Sequence, residues 1–245
     1  MEKYPLRINK YLSDKGICSR RDADKLIEQR RVTVNGAVAE TGCKVNLGDE
    51  VKLDNKDISS KVEKRIYMAF NKPVGITCTT DTDIPGNIVN YINHPKRIFH
   101  IGRLDKESEG LILMTNDGDI VNKILRASNN HEKEYVVTVN KPVTDEFIKG
   151  MCSGVKILNT ITKPCTVTKY SKYVFKIILT QGLNRQIRRM CATFGYNVTK
   201  LKRLRIMNIH LNDLPVGKWR YLSTTELDLL NSLLSTSINT EEASL

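Results

Sequence analysis

Two short helices and several small strands are predicted near the N terminus from the spacing of apolar residues. Apolar residues recur at helical spacing before Gly16 and again after Ser19, which has Asp22 at the position that completes a helix N-cap. Beyond them, valines alternate with polar residues on both sides of Asn35-Gly36, a dipeptide typical of two-residue hairpins. Residues 1–54 are therefore predicted to form one compact unit.

A second region, of mixed helix and strand character, is predicted for residues 66–234. Runs of strand length occur at four places, namely 66–70, 111–115, 135–139 and 174–179. A helical stripe at 120–125 and a further helix after Gly182 follow two of these runs. The polar residues 55–65 are predicted to be a linker, and the polar residues 235–245 a disordered tail.

The charge of the chain is strongly positive and unevenly distributed. The formal net charge is +12 and the isoelectric point is about 9.4. Residues 147–212 contain thirteen lysines and arginines and no carboxylate, so this segment accounts for the excess. A surface that only needs solvation mixes both signs, and this segment is therefore predicted to face the phosphates of a nucleic acid.

Composition limits the remaining classes of protein. The six cysteines are scattered without a C-x-x-C pair and the four histidines are dispersed, which predicts reduced thiols and no metal site. No apolar run approaches the length of a membrane span, and the N terminus lacks the apolar region of a signal peptide. We therefore expect a cytoplasmic protein that makes no membrane contact.

One acidic residue, Asp105, is distinguished by its surroundings in the sequence. It lies between Gly102 and Gly110, with Arg103 and Lys106 on either side, just before an apolar strand. Such a turn exposes the carboxylate, and the two cations favour its ionised form, as a reactive carboxylate requires. Taken alone, the pattern also fits an aspartate that only stabilises a turn.

The N-terminal unit resembles the RNA-binding domain named after ribosomal protein S four, with its alpha-L motif, over Leu6–Leu53. In that family two helices dock on the backbone or minor groove of folded RNA. The residues that the resemblance assigns to RNA binding are seven basic side chains on or beside the two helices: Arg7, Lys10, Arg20, Arg21, Lys25, Arg30 and Arg31. Asp14, Asp22, Asp24 and Glu28 partly balance them, so a merely solvated helix surface fits the same pattern.

Four motifs follow in a fixed order in the second region. They are Asn71-Lys72-Pro73-x-Gly75, Gly102-Arg103-Leu104-Asp105-x-x-Ser108-x-Gly110-Leu111, Lys133-Glu134-Tyr135 and Asn184-Arg185-Gln186-Ile187-Arg188-Arg189-Met190. Behind an S-four-type domain, this order resembles the RNA pseudouridine synthases of the RsuA/RluB/RluE/RluF branch, and most of all the RluF type. The resemblance implies an α+β protein whose mixed α/β catalytic domain is built on a largely antiparallel sheet.

The resemblance also implies a reaction, which is the isomerisation of uridine to pseudouridine in a stem-loop of 23S ribosomal RNA. The bond from the sugar to the uracil nitrogen breaks, the base rotates, and it is rejoined through its fifth carbon. No cofactor is implied, because nothing is oxidised and no group leaves the site. The target base must first leave its stack and enter a pocket. Transfer RNA stays open as a second substrate, and we expect a monomer.

Three residues are assigned to the chemistry by this resemblance. Asp105 matches the family's catalytic carboxylate, acting as a nucleophile at the sugar carbon or as a base on the way to a glycal, and both routes stay open. Tyr135 matches the tyrosine that stacks on the base, although a strand tyrosine packed in the core fits the same position. Arg188 matches the basic residue that pairs with the aspartate.

Four further basic residues are assigned to RNA contacts in this region: Lys72, Arg103, Arg185 and Arg189. Lys72 is expected at the rim of the pocket. Arg103 either fills the space left by the flipped base, holds a phosphate or is purely structural. On the predicted helix, Arg185 and Arg189 point away from the buried face, toward solvent or phosphate, while Arg188 lies at its edge.

Two hypotheses that assign the protein to other functional classes are alternatives to an enzyme. The first is a non-enzymatic RNA-binding factor for ribosome assembly, and Asp105 argues against it because a carboxylate in a positive cleft weakens RNA binding. The second is a DNA-binding regulator that uses the first two helices. It is weaker, because no dimerisation heptads or recognition-helix pattern accompany them.

Overall fold

The computed structural model describes residues 4–60, 63–126 and 129–235 of the chain. The chain divides into two compact units, Met1–Arg65 with Pro95–Arg97 and Ile66–His94 with Ile98–Leu245. Apart from Ser235, the predicted tail lies outside the described residues. Among the helices of the described residues, none combines the length and apolarity needed to cross a membrane.

The N-terminal unit contains two helices and six short strands around one apolar core. Its elements are β1 (Leu6–Arg7), α1 (Ile8–Asp14), α2 (Arg20–Glu28), β2 (Val32–Val34), β3 (Ala37–Val38), β4 (Lys44–Val45), β5 (Val51–Leu53) and β6 (Lys56–Asp57). The backbone N–H of Asp22 donates to Ser19 Oγ over 3.0 Å, which confirms the predicted N-cap. Asn35 and Gly36 have φ of 50° and 82°, as a type I′ turn requires, and the predicted hairpin joins β2 to β3.

The first part of the predicted linker is folded, so the assignment of residues 55–65 as a linker is wrong there. Strand β6 pairs with β5 at the edge of a four-stranded antiparallel sheet. Ile58 is buried in the core of the N-terminal unit, and Ser59 Oγ accepts a hydrogen bond from the backbone N–H of Val51. This strand could not be predicted from the sequence, because its two residues, Lys56 and Asp57, are exposed and polar.

The second unit is built on a nine-stranded sheet. The strands of this unit are β7 (Tyr67–Lys72), β8 (Phe99–Ile101), β9 (Glu109–Thr115), β10 (Lys133–Val139), β11 (Lys156–Ile157), β12 (Thr160–Ile161), β13 (Thr166–Ser171), β14 (Val174–Leu179), β15 (Val198–Ile206), β16 (Ile209–His210) and β17 (Trp219–Tyr221). The sheet has the order β13-β14-β10-β15-β9-β7-β17, with β8 on β9 and β16 on β15, while β11 and β12 form a separate pair. Only β9 and β15 pair in parallel within this unit's described strands, which confirms the largely antiparallel sheet.

Helices cover both faces of this sheet. They are α3 (Ile88–Ile92), α4 (Gly118–Leu125), α5 (Asp145–Cys152), α6 (Gln186–Thr193) and α7 (Thr224–Leu234). Successive side chains of β9 alternate between two apolar cores, since Ile112 and Met114 join the core that contains residues of α3, α5 and α6. Leu111 and Leu113 join the core that contains residues of α4 and α7. The loop between β8 and β9, which carries Asp105, therefore leads into a strand that is buried on both sides.

Candidate active site

The backbone around Asp105 is fixed by hydrogen bonds from three directions. The turn is closed by the N–H of Ser108, which donates to the carbonyl of Asp105 over 3.0 Å. The N–H of Gly75 donates to the carbonyl of Lys106 over 2.8 Å. The ammonium group of Lys72 donates to the carbonyl of Ser108 over 2.8 Å. The first two sequence motifs of the second unit thus meet at this turn, and the Asp105 carboxylate is held on a rigid backbone.

The prediction that Lys72 contacts RNA is wrong. Its side chain has no exposed surface, and its ammonium group donates to the carbonyls of Pro73 and Ser108, both over 2.8 Å. Burial lowers the pKa of this lysine. Lys72 therefore supports the Asp105 turn from beneath, where RNA does not reach.

Two arginines approach the carboxylate of Asp105. Arg188 Nε lies 3.5 Å from Asp105 Oδ2, and Arg185 Nη1 lies 3.6 Å from the same oxygen. The Asp105 side chain is 30% exposed and that of Arg188 only 14%. Arg188 is further fixed by hydrogen bonds to Ser108 Oγ over 3.0 Å and to the carbonyl of Val198 over 3.2 Å. Arg188 is therefore placed at the edge of the buried face, where its helix was predicted to present it.

Arg185 is exposed, as its predicted position away from the buried face requires, but its approach to Asp105 was not predicted. Helix α6 begins one residue later, at Gln186, and Arg185 adopts the left-handed conformation of a residue outside the helix. Its guanidinium group forms an ion pair with Glu107 as well as approaching Asp105. The hydrogen bond that Arg185 donates to Glu107 lowers the pKa of the Glu107 carboxyl group. The helical projection did not reveal the contact with Asp105, because Arg185 precedes the helix.

Asp105 opens into a cleft of about 360 Å³, here called the Asp105 cleft. Its lining brings together residues from the second, third and fourth motifs: Arg103, Asp105, Ser108, Lys133, Tyr135, Arg185, Gln186 and Arg188. The volume lies within the usual range of sites for small molecules, so a single nucleotide base is a suitable occupant. Tyr135 lines the cleft although it is only 9% exposed, so it is both packed in the core and turned to the site.

Two buried basic residues of the cleft, Lys133 and Arg203, are absent from the predicted site. Lys133 is 6% exposed, and burial lowers its pKa to about 8. Arg203 is 3% exposed, and its Nε donates to the carbonyl of Leu111 over 2.6 Å. Its guanidinium carbon lies 5.9 Å from the centre of the Tyr135 ring. Lys133 precedes Tyr135 by two residues in the same strand, so both side chains lie on the same face of the sheet. This alternation could have predicted that Lys133 lies in the same site as Tyr135.

The remaining predicted RNA contacts lie on exposed surface. Arg103 is exposed at the cleft, and Arg189 is exposed on α6, where it also bonds the carbonyl of Asn184 over 3.1 Å. In the N-terminal unit, six of the seven predicted residues are exposed: Arg7, Arg20, Arg21, Lys25, Arg30 and Arg31. Lys10 is partly buried and paired with Asp14. Their assignment to RNA stays a prediction.

Comparison with known proteins agrees with this geometry. The RNA pseudouridylate synthase family matches residues 66–193, and the S4 domain matches residues 6–51. The first match spans more than half of the chain, and the protein therefore belongs to the RNA pseudouridine synthases, a family of isomerases. The fold class, the S-four-type unit and the family expected from the sequence are confirmed.

Particular relatives narrow this assignment within the family. The dual-specificity RNA pseudouridine synthases RluF of Salmonella typhi and Escherichia coli strain K12 are 57% and 56% identical to the chain over 232 and 233 residues. The alignments cover 94% and 95% of this chain and 80% of each relative. The protein in a crystal structure of pseudouridylate synthase is 28% identical in sequence to this chain. The two structures have a TM-score of 0.68, and the match covers 92% of this chain and 99% of that one. The predicted likeness to the RluF type is thus confirmed.

Proposed function

We propose that this protein isomerises a specific uridine in a stem-loop of 23S ribosomal RNA, with Asp105 as the catalytic carboxylate. The observation that carries the proposal is the placement of Asp105 on a rigid turn, beside Arg188 and at the mouth of a cleft that also exposes Tyr135. The likeness to RluF-type enzymes supports the choice of RNA. The reaction takes place in the cytoplasm, on RNA bound by a monomer.

Two arginines lie beside the carboxylate of Asp105. Arg188 and Arg185 place two positive charges within 3.6 Å of Asp105 Oδ2. Asp105 then attacks the sugar carbon, or removes a proton from the sugar on the way to a glycal. Both routes require the same ionised group at the same place.

The cleft accommodates one base, so the target uridine must leave the RNA stack to reach Asp105. Extrusion of a base costs a few kcal/mol and is least costly in a loop or bulge. Arg103 is exposed beside the cleft and is suited to contact the phosphate or the space that the base vacates. Tyr135 supplies the aromatic face on which the extruded base stacks.

A second RNA is part of the proposal, because the relatives are named dual-specificity enzymes. We propose that the same cleft also acts on a transfer RNA. The basic side chains of the N-terminal unit recognise folded RNA by shape, so a common stem-loop shape serves for both substrates.

The experiment that tests the proposal maps pseudouridine after incubation of the purified protein with RNA that lacks the modification. One sample contains unmodified 23S rRNA, one contains tRNA, and one contains 16S rRNA as the control. New pseudouridine at one 23S site and one tRNA site is expected. Modification confined to 16S rRNA, or none in any sample, would overturn the proposal.

A further inference from the structure

Lys133 and Arg203 form a positively charged patch inside the Asp105 cleft that the roles assigned so far do not use. Both side chains line the cleft, and both are more than nine-tenths buried. They lie on adjacent strands, since β10 pairs with β15 and Tyr135 faces Arg203 in the register. Two buried cations side by side destabilise the folded protein unless an anionic or strongly polar ligand compensates them.

The hydrogen bonds of these two residues leave capacity for a ligand. Lys133 Nζ donates to the carbonyl of His131 over 3.2 Å, which uses one of the three donors of an ammonium group. Arg203 donates through Nε to Leu111, but its buried Nη2 has no hydrogen-bond partner among the described residues. A buried donor without a partner is costly, and a bound acceptor would remove that cost.

We propose that Lys133 and Arg203 bind the carbonyl oxygens of the target uracil and stabilise the negative charge that the base acquires when its bond to the sugar breaks. The proposal rests on the proposed function and adds a subsite to it. It assigns Asp105 to the sugar and the buried pair to the base. Tyr135, which lines the same cleft, supports the ring of the base.

The chemistry of the reaction requires such a group. When the bond between the sugar carbon C1′ and uracil N1 breaks, both electrons stay on the uracil, and the charge is shared by N1, O2 and O4. After rotation, C5 forms the new bond to C1′, the C5 proton is released to water, and N1 takes up a proton. Preorganised cations in a water-poor site are an effective way to stabilise a charge that develops only during reaction.

A phosphate of the RNA backbone offers the same kind of anionic oxygen, so the alternative occupant is a phosphate. We favour the uracil because backbone phosphates stay at the surface, whereas both side chains are buried in the lining of a cleft that holds Tyr135. Exposed cations are the usual partners of phosphates, and this protein has them on both units.

The first test replaces Lys133 with methionine, which keeps the volume and removes the charge. K133M should lower turnover at saturating RNA about 100-fold, with RNA affinity within about twofold of the native protein. Its unfolding midpoint in urea should be unchanged or raised, because a buried charge is removed. K218M, which removes an exposed lysine outside the segment 147–212, is the control and should match the native protein in all three measurements.

The second test uses the pH profile. The charged or titratable groups that share the cleft with Lys133 are Arg103, Asp105, Tyr135, Arg185, Arg188 and Arg203. His131, two residues away, has a pKa lowered by burial. The native kcat/KM should therefore fall as pH rises through about 8, where Lys133 loses its proton. K133R should keep most of the turnover and lose this alkaline fall.

Several outcomes would overturn the proposal. Native turnover by K133M, or an unchanged alkaline fall in K133R, would exclude a charged Lys133 from the reaction. Weakened RNA affinity with normal turnover at saturation would assign the pair to a phosphate. R203K provides an independent check, since it keeps a charge and should retain more turnover than R203M. An inactive native protein would instead refute the proposed function, which separates the two failures.

Discussion

The backbone of Arg203 lies so close to Gly110 that no side chain fits between them. A Cβ on Gly110 would be 2.4 Å from the carbonyl oxygen of Arg203 and 2.7 Å from its nitrogen, and the φ of Gly110 is +108°. The contact occurs where β9 and β15 pair in parallel. It joins the strand that follows the Asp105 turn to the strand that carries Arg203, so the carboxylate and the buried cation share one rigid support.

Replacing Gly110 with alanine should therefore destabilise the protein by about 3 kcal/mol or more, because strain in φ and overpacking against backbone add together. Urea unfolding measures the change. G118A is the matched control, since a Cβ there has nothing within 4 Å and Gly118 is the first residue of α4. G118A should change stability by less than about 1 kcal/mol. Equal stability of the two variants would show that β9 and β15 are not so close.

Alanine variants of the three arginines of the fourth motif should differ according to whether each side chain contacts Asp105 and how deeply it is buried. We expect R188A to lower turnover at saturating RNA by about 100-fold or more, because Arg188 is largely buried beside the carboxylate. R185A should lower it by about tenfold, since Arg185 is more exposed and shared with Glu107. R189A should weaken RNA binding with turnover preserved. Single-turnover rates and binding isotherms decide this order, and equal losses of turnover in all three variants would contradict it.

The stability contributed by Glu226 should depend on pH. Its carboxylate accepts two hydrogen bonds of 2.7 Å from Arg220 and one of 2.9 Å from the N–H of Ser223 at the start of α7. The hydrogen bond from Arg220 lowers the pKa of Glu226, so the stabilisation is complete above the unfolded-state pKa and is lost as pH falls through the folded-state value.

E226Q should therefore cost about 1 kcal/mol at pH 7, and the difference from the native protein should shrink as the pH falls through the lowered pKa of Glu226. Urea unfolding at several pH values measures this. D228N, at an exposed position on the same helix, is the control and should change stability by less than about 0.5 kcal/mol. A cost of E226Q that is constant over pH would refute the charge-dependent part of the argument.

The exposed arginines of the N-terminal unit should contribute to RNA affinity without affecting turnover. Arg20 and Arg21 are exposed, and neither has an ion pair within the described residues. Replacing either with glutamine should lower the slope of log affinity against log salt by about one unit. Arg31 is the control, because it already donates hydrogen bonds of 2.6 and 2.8 Å to the carboxylate of Asp54. R31Q should therefore change the salt slope less. Identical slopes in all variants and the native protein would show that RNA does not contact these arginines.

The sequence predicted the elements whose signals are local. The cap at Ser19, the hairpin at Asn35-Gly36 and the strand at 174–179 are all present, because each depends on residues adjacent in the chain. Helix α7 went unpredicted, although Ser223 and Glu226 form a capping box that was visible in the sequence.

The features that the sequence did not predict depend on contacts between distant residues. The segment 147–212 contains no acid, yet Arg205 is paired with Glu132 and Glu134, and Lys200 with Glu109. Part of its positive charge is therefore paired with carboxylates from outside the segment. Lys72 was expected at a surface because lysine usually lies there, but the turn that it supports comes from residues more than 30 positions later.

Turnover of D105N at saturating RNA measures whether the Asp105 carboxylate performs the chemistry. The variant keeps the shape of the side chain and removes its charge. We expect turnover to fall at least about a thousandfold, which corresponds to about 4 kcal/mol in the barrier, while RNA affinity stays equal or becomes slightly tighter. E107Q, which changes the neighbouring carboxylate, should lose no more than about tenfold, because Glu107 is exposed and pairs with Arg185 and, at 4.0 Å, with Arg188 Nε. Pseudouridine formation by D105N at a rate near that of the native protein would show that Asp105 is not the catalytic carboxylate.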